Sequence, residues 1–528
     1  MKHKLLSSIL MGLMTINVVA AADTASGRPK LVVGIVVDQL RSDYLEYLRQ
    51  LFGEKGFRRL MEKGVYVKDL DFNAELTDPA SATALLYTGA LPRVNGVPSA
   101  EIYSTADSKL IPALEDANSM GNFTRESLSP VKLRVSTLAD EAAIDGVGLT
   151  SVYAISPDPQ QAIIMAGHAG NCALWINDVD GQWSSTAYYR DFPQFISRRN
   201  RTMPLRQRLD TLRWTPALRT DRYPGLSLTE REGSFRHTFS KSDRNLFRQY
   251  KTSAPVNAEV TDVAIAALSD LSLGQHKDAV DMLSIGYTAA PFQAPKGDAG
   301  ELELQDIYVR LDSQIGRLLD EIDRKVGLEN SVIFLSSTGY YNDPTPTDPK
   351  YRIPTGDVTL RRVESLLNSY LSAKYGNGDY VKGIAGNQIF LDRQTLETKT
   401  RDADEAIRDA RDFIVKMSGI ADARTLSDIL SDPSQEGAQT RNSIDPKSAG
   451  DIIITFNPGW NVVDDTRYPS VVVHQRASAA PTPFFLLAPN VEAQVVTTPV
   501  DAVRIAPTIS STIHIRAPNG SSARPLAF

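Results

Sequence analysis

Asp38 is the first residue whose type and position invite chemistry. It closes Leu31 to Val37, an unbroken apolar run with the length and β-branched content of a strand buried on both faces. In open α/β sheets ligands collect beyond the carboxyl ends of the strands, so a carboxylate there is a candidate metal ligand or catalytic acid. The competing role is an N-cap for the helical pattern that follows. His168, His237, His276, His474 and His514 add little. None stands near an Asp or Glu at a spacing that would aim two donors from one helix face or strand end. Cys172, the one cysteine, lies in the apolar AGNCALWI and reads as a small buried hydrophobe rather than a nucleophile.

The elements that must position these groups alternate in type. After Asp38 comes a helix with apolar Tyr44, Leu45, Leu48 and Leu51, then a second from Gly56 to Lys63 that stops at Gly64. VYVKDLDFN reads as a short alternating strand. Residues 74–97 read as a turn into a small-residue helix and a Gly/Pro loop. A helix opens at Ser136 to Glu141, VGLTSVYAI is a buried strand, and polar SPDPQQ interrupts. AVDMLSIGYTA alternates; a long amphipathic helix from Glu301 to Val326 and the buried strand SVIFLSS follow. Asp402 to Met417 forms a further helix, PFFLLAPN a strand, and PVDAVRIAPTISSTIHI the last helix. This order predicts an α/β fold, a mostly parallel central sheet with helices on both faces. Cap-like insertions are expected at about 188–260 and 357–456. The first holds an arginine-rich stretch, 190–222, with aromatic residues interleaved. It reads as a solvated surface excursion closing over the domain, with binding of anions or a partner surface as the alternative.

Composition narrows the class. With 528 residues, 42% hydrophobic and 23% charged, the chain has the make-up of an ordinary globular protein. A net charge of −6 gives no reason to expect nucleic acid as a partner. Residues 1–22 read as a secretory signal: Lys2, His3 and Lys4, an apolar core from Leu5 to Val19, and Ala20-Ala21-Ala22 as the cleavage site. That core falls short of the roughly 20 residues a membrane span needs. The remaining 23–528 is therefore expected as a periplasmic or secreted α/β domain without a transmembrane segment. A single cysteine cannot make an internal disulfide, so stability must come from a large core.

Several stretches taken together resemble the alkaline phosphatase superfamily, in particular its threonine-nucleophile phosphatase and nucleotide pyrophosphatase/phosphodiesterase branch. VVGIVVDQLRSDYL is similar to the opening strand with its metal-binding aspartate. GFRRLMEKGV and YTGALPRVNGV are similar to the next helix and the TG…P…HG loop. IIMAGHAGNCALWINDVDGQWSSTAYY, ELELQDIYVRLDSQIGRLLDEID, SAGDIIITFNPGW and VDAVRIAPTI are similar to later framework segments. The resemblance is collinear over nearly the whole chain after the leader. It implies two divalent metals held by about six Asp and His ligands, which activate a Thr or Ser oxygen for phosphoryl transfer.

Against that pattern only Asp38 matches a ligand. The family's Asp-Tyr-x-x-His falls on Gly286-Tyr287-Thr288-Ala289-Ala290, so Gly286 and Ala290 replace two ligands. Its Asp-His pair falls on Thr338 and Gly339, and Thr482 takes the place of the last histidine. The phosphate-gripping Lys-x-Arg falls on Asp158-Pro159-Gln160, where a carboxylate repels an anionic substrate. Thr77-Asp78-Pro79 keeps the Thr-x-Pro look of the nucleophile turn, with Thr83 beyond it. Its spacing to Thr88-Gly89 is two residues longer than the family's, so an ungapped alignment puts Pro79 at the nucleophile. Thr77 is the vestigial nucleophile candidate if the loop carries an insertion. His474, just upstream of Thr482, is the best spare donor, and His168 belongs to the framework.

The expected function is an exported pseudoenzyme, kept for binding or as a scaffold subunit with protein partners in the cell envelope, and with no cofactor. One alternative is a phosphoric-ester hydrolase with a non-standard site, one Zn²⁺ or other divalent ion on Asp38, Thr77 and carboxylates such as Asp78 or Asp343. Another is a small-molecule or glycan binder in the former cleft.

Overall fold

The computed structural model describes residues 28–104, 109–227, 232–276, 279–294, 297–298, 300–342, 354–463, 472–473 and 477–528. The expected signal segment 1–22, Asp343 and His474 lie outside the described residues. One sheet organises the chain. Its strands are β1 (Leu31–Asp38), β2 (Val65–Val67), β3 (Gly121–Asn122), β4 (Val152–Ile155), β5 (Cys172–Ile176), β6 (Trp183–Thr186), β7 (Asp281–Thr288), β8 (Ser331–Ser337), β9 (Phe484–Leu487) and β10 (Gln494–Val496). They form a 10-stranded sheet in the order β10-β2-β9-β8-β1-β7-β4-β5-β6-β3. β1 pairs in parallel with β7 and β8, and only β9 and β6 run against the rest. The fold is thus α/β with a mostly parallel central sheet.

β1 reads as expected: Leu31 to Val37 are all buried, which requires cover on both faces. β7 departs from the alternation of AVDMLSIGYTA, because every residue from Asp281 to Thr288 is buried. Gly34 shows how closely the layers approach. A Cβ there would lie 2.5 Å from the Phe334 ring, with Tyr87 Oη closer still, so only glycine lets helix α1 (Pro79–Thr88) sit this near the sheet. Further helices are α2 (Leu138–Asp145), α3 (Pro159–Ala166), α4 (Ala254–Asp270) and α5 (Glu301–Lys325). α5 buries Leu302, Ile307, Leu311, Ile315, Leu318 and Ile322, the spacing of one apolar helix face.

Local boundaries differ from the sequence reading where side chains cap the backbone. VYVKDLDFN divides into β2 and a short Leu70–Asp71 strand. α2 starts after Thr137, whose hydroxyl and the Asp140 carboxylate make a reciprocal capping box. SPDPQQ is no interruption: Asp158 accepts the Gln161 N–H and Pro159 takes the first turn of α3, an arrangement that favours helix initiation.

The arginine-rich stretch is not merely solvated. Phe195, Ile196, Leu205, Leu209, Trp214 and Tyr223 join the main hydrophobic core. Two buried carboxylates tether it. Asp306 on α5 accepts from Trp214 Nε1 (2.6 Å), Ala217 N (2.6 Å), Tyr223 Oη (2.7 Å) and Arg310 Nε (2.7 Å). Glu259 on α4 accepts from Trp183 Nε1 (2.8 Å) and binds Arg199 and Arg208. Residues 357–456 instead carry a core of their own, including Leu367, Leu371, Ile389, Ile414 and Ile452. Its sheet runs Val381–Ala385, Gln388–Leu391, Ile452–Phe456, Ile420–Thr425. This part meets the body through Arg134–Asp445 (2.6 Å) and a stacked Tyr103–Phe390 pair. Among the described residues no helix is long and apolar enough to cross a membrane.

Candidate functional site

Asp38 projects from the carboxyl end of β1, and it does not cap the helix that follows, whose N-cap is Arg41. Its Oδ1 accepts from Tyr340 Oη at 2.6 Å and from Thr338 Oγ1 at 3.1 Å. The next residue, Gln39, has φ 60°, a left-handed backbone that costs a non-glycine residue about 1–2 kcal/mol. Its N–H donates to Thr338 Oγ1 at 2.9 Å, which helps hold the turn. Thr338 therefore knits the ends of β1 and β8 together. Burial pushes the Asp38 carboxyl up to about 6, against the lowering effect of the Tyr340 and Thr338 hydroxyls and with a further upward push from Asp158. The same contact and burial hold the Tyr340 phenol well above its ordinary value.

Thr77 is exposed and lies two residues ahead of α1. Asp78 is the N-cap of that helix and accepts the Ser81 N–H at 2.9 Å. Burial pushes Asp78 up to about 6, with Asp158 adding to the shift. Asp158, raised chiefly by burial, is the N-cap of α3. Gln160 is structural: it donates to Ala100 O at 2.7 Å and accepts from Leu114 N at 3.0 Å. Asp158 thus pushes both Asp38 and Asp78 upward, and carboxyl groups so placed disfavour a phosphoryl dianion. Arg41 is the nearest cation in sequence. It is committed to Asp43 (3.0 and 2.5 Å) and stacks on Tyr44 and Tyr341.

The positions at which the resemblance expects ligands are closely packed. A Cβ at Gly286 would lie 2.5 Å from Ser156 Oγ and closer still to Gln161 Oε1. Ser156 Oγ donates to Gln161 Oε1 at 2.6 Å, and Gln161 Nε2 reaches Thr83 Oγ1 at 3.3 Å. At Gly339 (φ +79°) a Cβ would run into the Phe72 ring. Ala290 is buried and its N–H donates to Thr288 Oγ1 at 3.1 Å. Thr482 is buried and turns its hydroxyl to Ala480 O at 2.9 Å. Among the described residues no three His, Cys, Asp or Glu side chains form a group able to hold a metal ion.

His168 bonds Asp140 at 2.9 Å and Leu133 O at 3.0 Å, a framework role. Cys172 is buried, and burial pushes its thiol up to about 12, far from the range of a nucleophile. The structure brings together Asp38, Thr338 and Tyr340, and separately Gln161, Ser156, Thr83 and Gly286. Tyr340 and Gln161 escaped the sequence reading. The Asp-Pro start of α3 was the available signal for Gln161; nothing in the sequence aimed Tyr340 at Asp38.

A broad, mostly parallel sheet with an aspartate at the tip of its central strand is the framework that the resemblance implied. The family model for type I phosphodiesterase / nucleotide pyrophosphatase matches residues 32–479, and the chain belongs to that family. It is 23% identical over 547 residues to alkaline phosphatase PafA of Elizabethkingia meningoseptica, covering 98% of each chain. It is 25% identical over 515 residues to alkaline phosphatase PhoV of Synechococcus elongatus, covering 94% of this chain and 92% of that one. The crystal structure of PafA superposes with a TM-score of 0.81 at 22% identity, over 95% of this chain and 98% of that one.

Proposed function

We propose that this chain is a non-catalytic member of its family, an exported alkaline-phosphatase-like scaffold that acts as a binding or scaffold subunit in the cell envelope. The observation that carries this reading is the Gln161–Ser156 pair in the space into which a side chain at position 286 would project. A site that had merely lost a ligand would keep the room for one. Here a hydrogen-bonded pair with its own partner, Thr83, takes that room. The N-terminal leader supports export.

A second reading is hydrolysis of a phosphoric ester. It is favoured by end-to-end similarity to proteins named alkaline phosphatases and by Asp38 at the tip of the central strand. One experiment separates the two. The purified chain is dialysed against Zn²⁺, Mn²⁺ or Ca²⁺, its metal content is measured, and p-nitrophenyl phosphate and bis-p-nitrophenyl phosphate are assayed beside Asp38→Ala and Thr77→Ala. The non-catalytic reading expects no stoichiometric metal and no turnover above the variants. About two ions per chain, with turnover abolished by Asp38→Ala, overturns it.

A further inference from the structure

Two short helices of the arginine-rich stretch, Gln194–Thr202 and Leu205–Leu209, are separated only by Met203 and Pro204. Their inward side is committed. Phe195, Ile196, Leu205 and Leu209 are buried, and Arg199 and Arg208 close on Glu259 at 2.7 and 2.6 Å. Neighbouring acids are taken as well: Asp210 pairs with Lys241, and Asp262 with Arg317 at 2.8 Å.

The outward side is different. Arg198 and Arg201 are exposed, three residues apart and so on one helix face, and neither pairs with a carboxylate among the described residues. Arg206 is exposed and lies 5.9 Å over the Phe247 ring rather than against an acid. Met203, between the helices, is 48% exposed. A surplus of cations on a chain of net charge −6 is a local feature.

We infer that this helix pair is a docking surface for an anionic lipid bilayer, with the three guanidinium groups on headgroup phosphates and Met203 entering the acyl boundary. Guanidinium forks match phosphate oxygens, and the exposed Met203 beside them supplies an apolar side chain whose burial in the acyl boundary is favourable. A small soluble anion would need a concave site. The concavity of about 560 Å³ lined by Thr215, Leu218, Arg219, Asp221 and Glu232 includes no residue of the helix pair, and its Arg219 is paired with Asp221 at 2.9 Å. Each arginine near an anionic surface strengthens partitioning roughly fivefold, and three together about a hundredfold. Such binding is peripheral, reversible and screened by salt.

The test is flotation of the purified chain with vesicles of phosphatidylcholine alone or mixed with phosphatidylglycerol, at low and high salt. The wild type is expected to float with the mixed vesicles only, and to be released by salt. Arg198→Gln/Arg201→Gln/Arg206→Gln is expected to lose about a hundredfold. Lys399→Gln/Arg401→Gln/Lys416→Gln, which removes the same charge from exposed sites on the 357–456 region, is expected to behave as wild type. Met203→Ser is expected to weaken partitioning with the mixed vesicles at low salt. Melting temperatures matching wild type show that the variants are folded. Equal flotation with both vesicle types, or equal loss in both triple variants, overturns the inference. So does binding of soluble heparin that matches the vesicles and ignores Met203→Ser, which would mark a site for a soluble polyanion.

Discussion

Gln161 and Gly286 occupy one space: the amide oxygen of the first stands where a Cβ on the second would have to go. Gly286 sits near the carboxyl end of β7, beside Val36 of β1. Gln161 reaches it from the first turn of α3, the helix that Asp158 and Pro159 start. A glycine at 286 and an amide from 161 are thus two halves of one packing solution.

Placing a carboxylate at 286 is therefore expected to destabilise the protein. Gly286→Asp forces overlap with Gln161 and Ser156 and buries a charge, at a cost of at least about 3 kcal/mol. In a Gln161→Ala background the cost is expected to shrink by about 1–2 kcal/mol, because the colliding amide is gone. Urea unfolding of the four members of this cycle measures the coupling. Simple additivity would show that the two side chains do not share the space.

This coupling also marks where the sequence stopped being legible. β1, its all-buried pattern and Asp38 at its tip followed from a local apolar run, and so did the amphipathic α5. Gln161 did not, because SPDPQQ reads as a polar loop unless Asp158-Pro159 is taken as a helix start, and its contact with 286 is long-range. The Tyr340–Asp38 bond is equally non-local, joining residues 302 positions apart. The tethers of the arginine-rich stretch are non-local too: Asp306 and Glu259, which draw it onto the core, lie on helices far along the chain.

Tyr340→Phe is expected to raise the Asp38 pKa above about 6. The phenol donates at 2.6 Å and favours the ionised carboxylate, so its loss leaves burial less opposed. A ¹³C carboxyl titration of both proteins reads the shift directly. An unchanged or lower value would mean that the phenol does not stabilise the carboxylate.

Asp306→Ala is expected to release the arginine-rich stretch from α5. The variant strands Trp214 Nε1, Tyr223 Oη, Ala217 N and Arg310 without their shared acceptor, and breaking one side of a buried charged network costs about 3–5 kcal/mol. Hydrogen exchange is expected to rise across 190–222 more than in β1 or β8. Uniform exchange across the fold would show that the tether is not local.

Glu259 gives the clearest pH dependence. Although burial opposes ionisation, Arg199 and Arg208 hold its carboxyl down to about 2, against an ordinary 4.5. A carboxylate depressed in the folded state binds fewer protons there than in the unfolded chain. Its contribution is thus complete above about pH 4.5 and is lost as pH falls through that value towards about 2. The shift corresponds to about 3 kcal/mol. Glu259→Gln keeps an acceptor for Trp183 but removes the charge, so it is expected to be less stable at neutral pH and to lose less on acidification. Denaturant midpoints for the two proteins should converge as the pH drops. Parallel curves would show that the Arg199–Glu259–Arg208 cluster does not carry the acid sensitivity assigned to it.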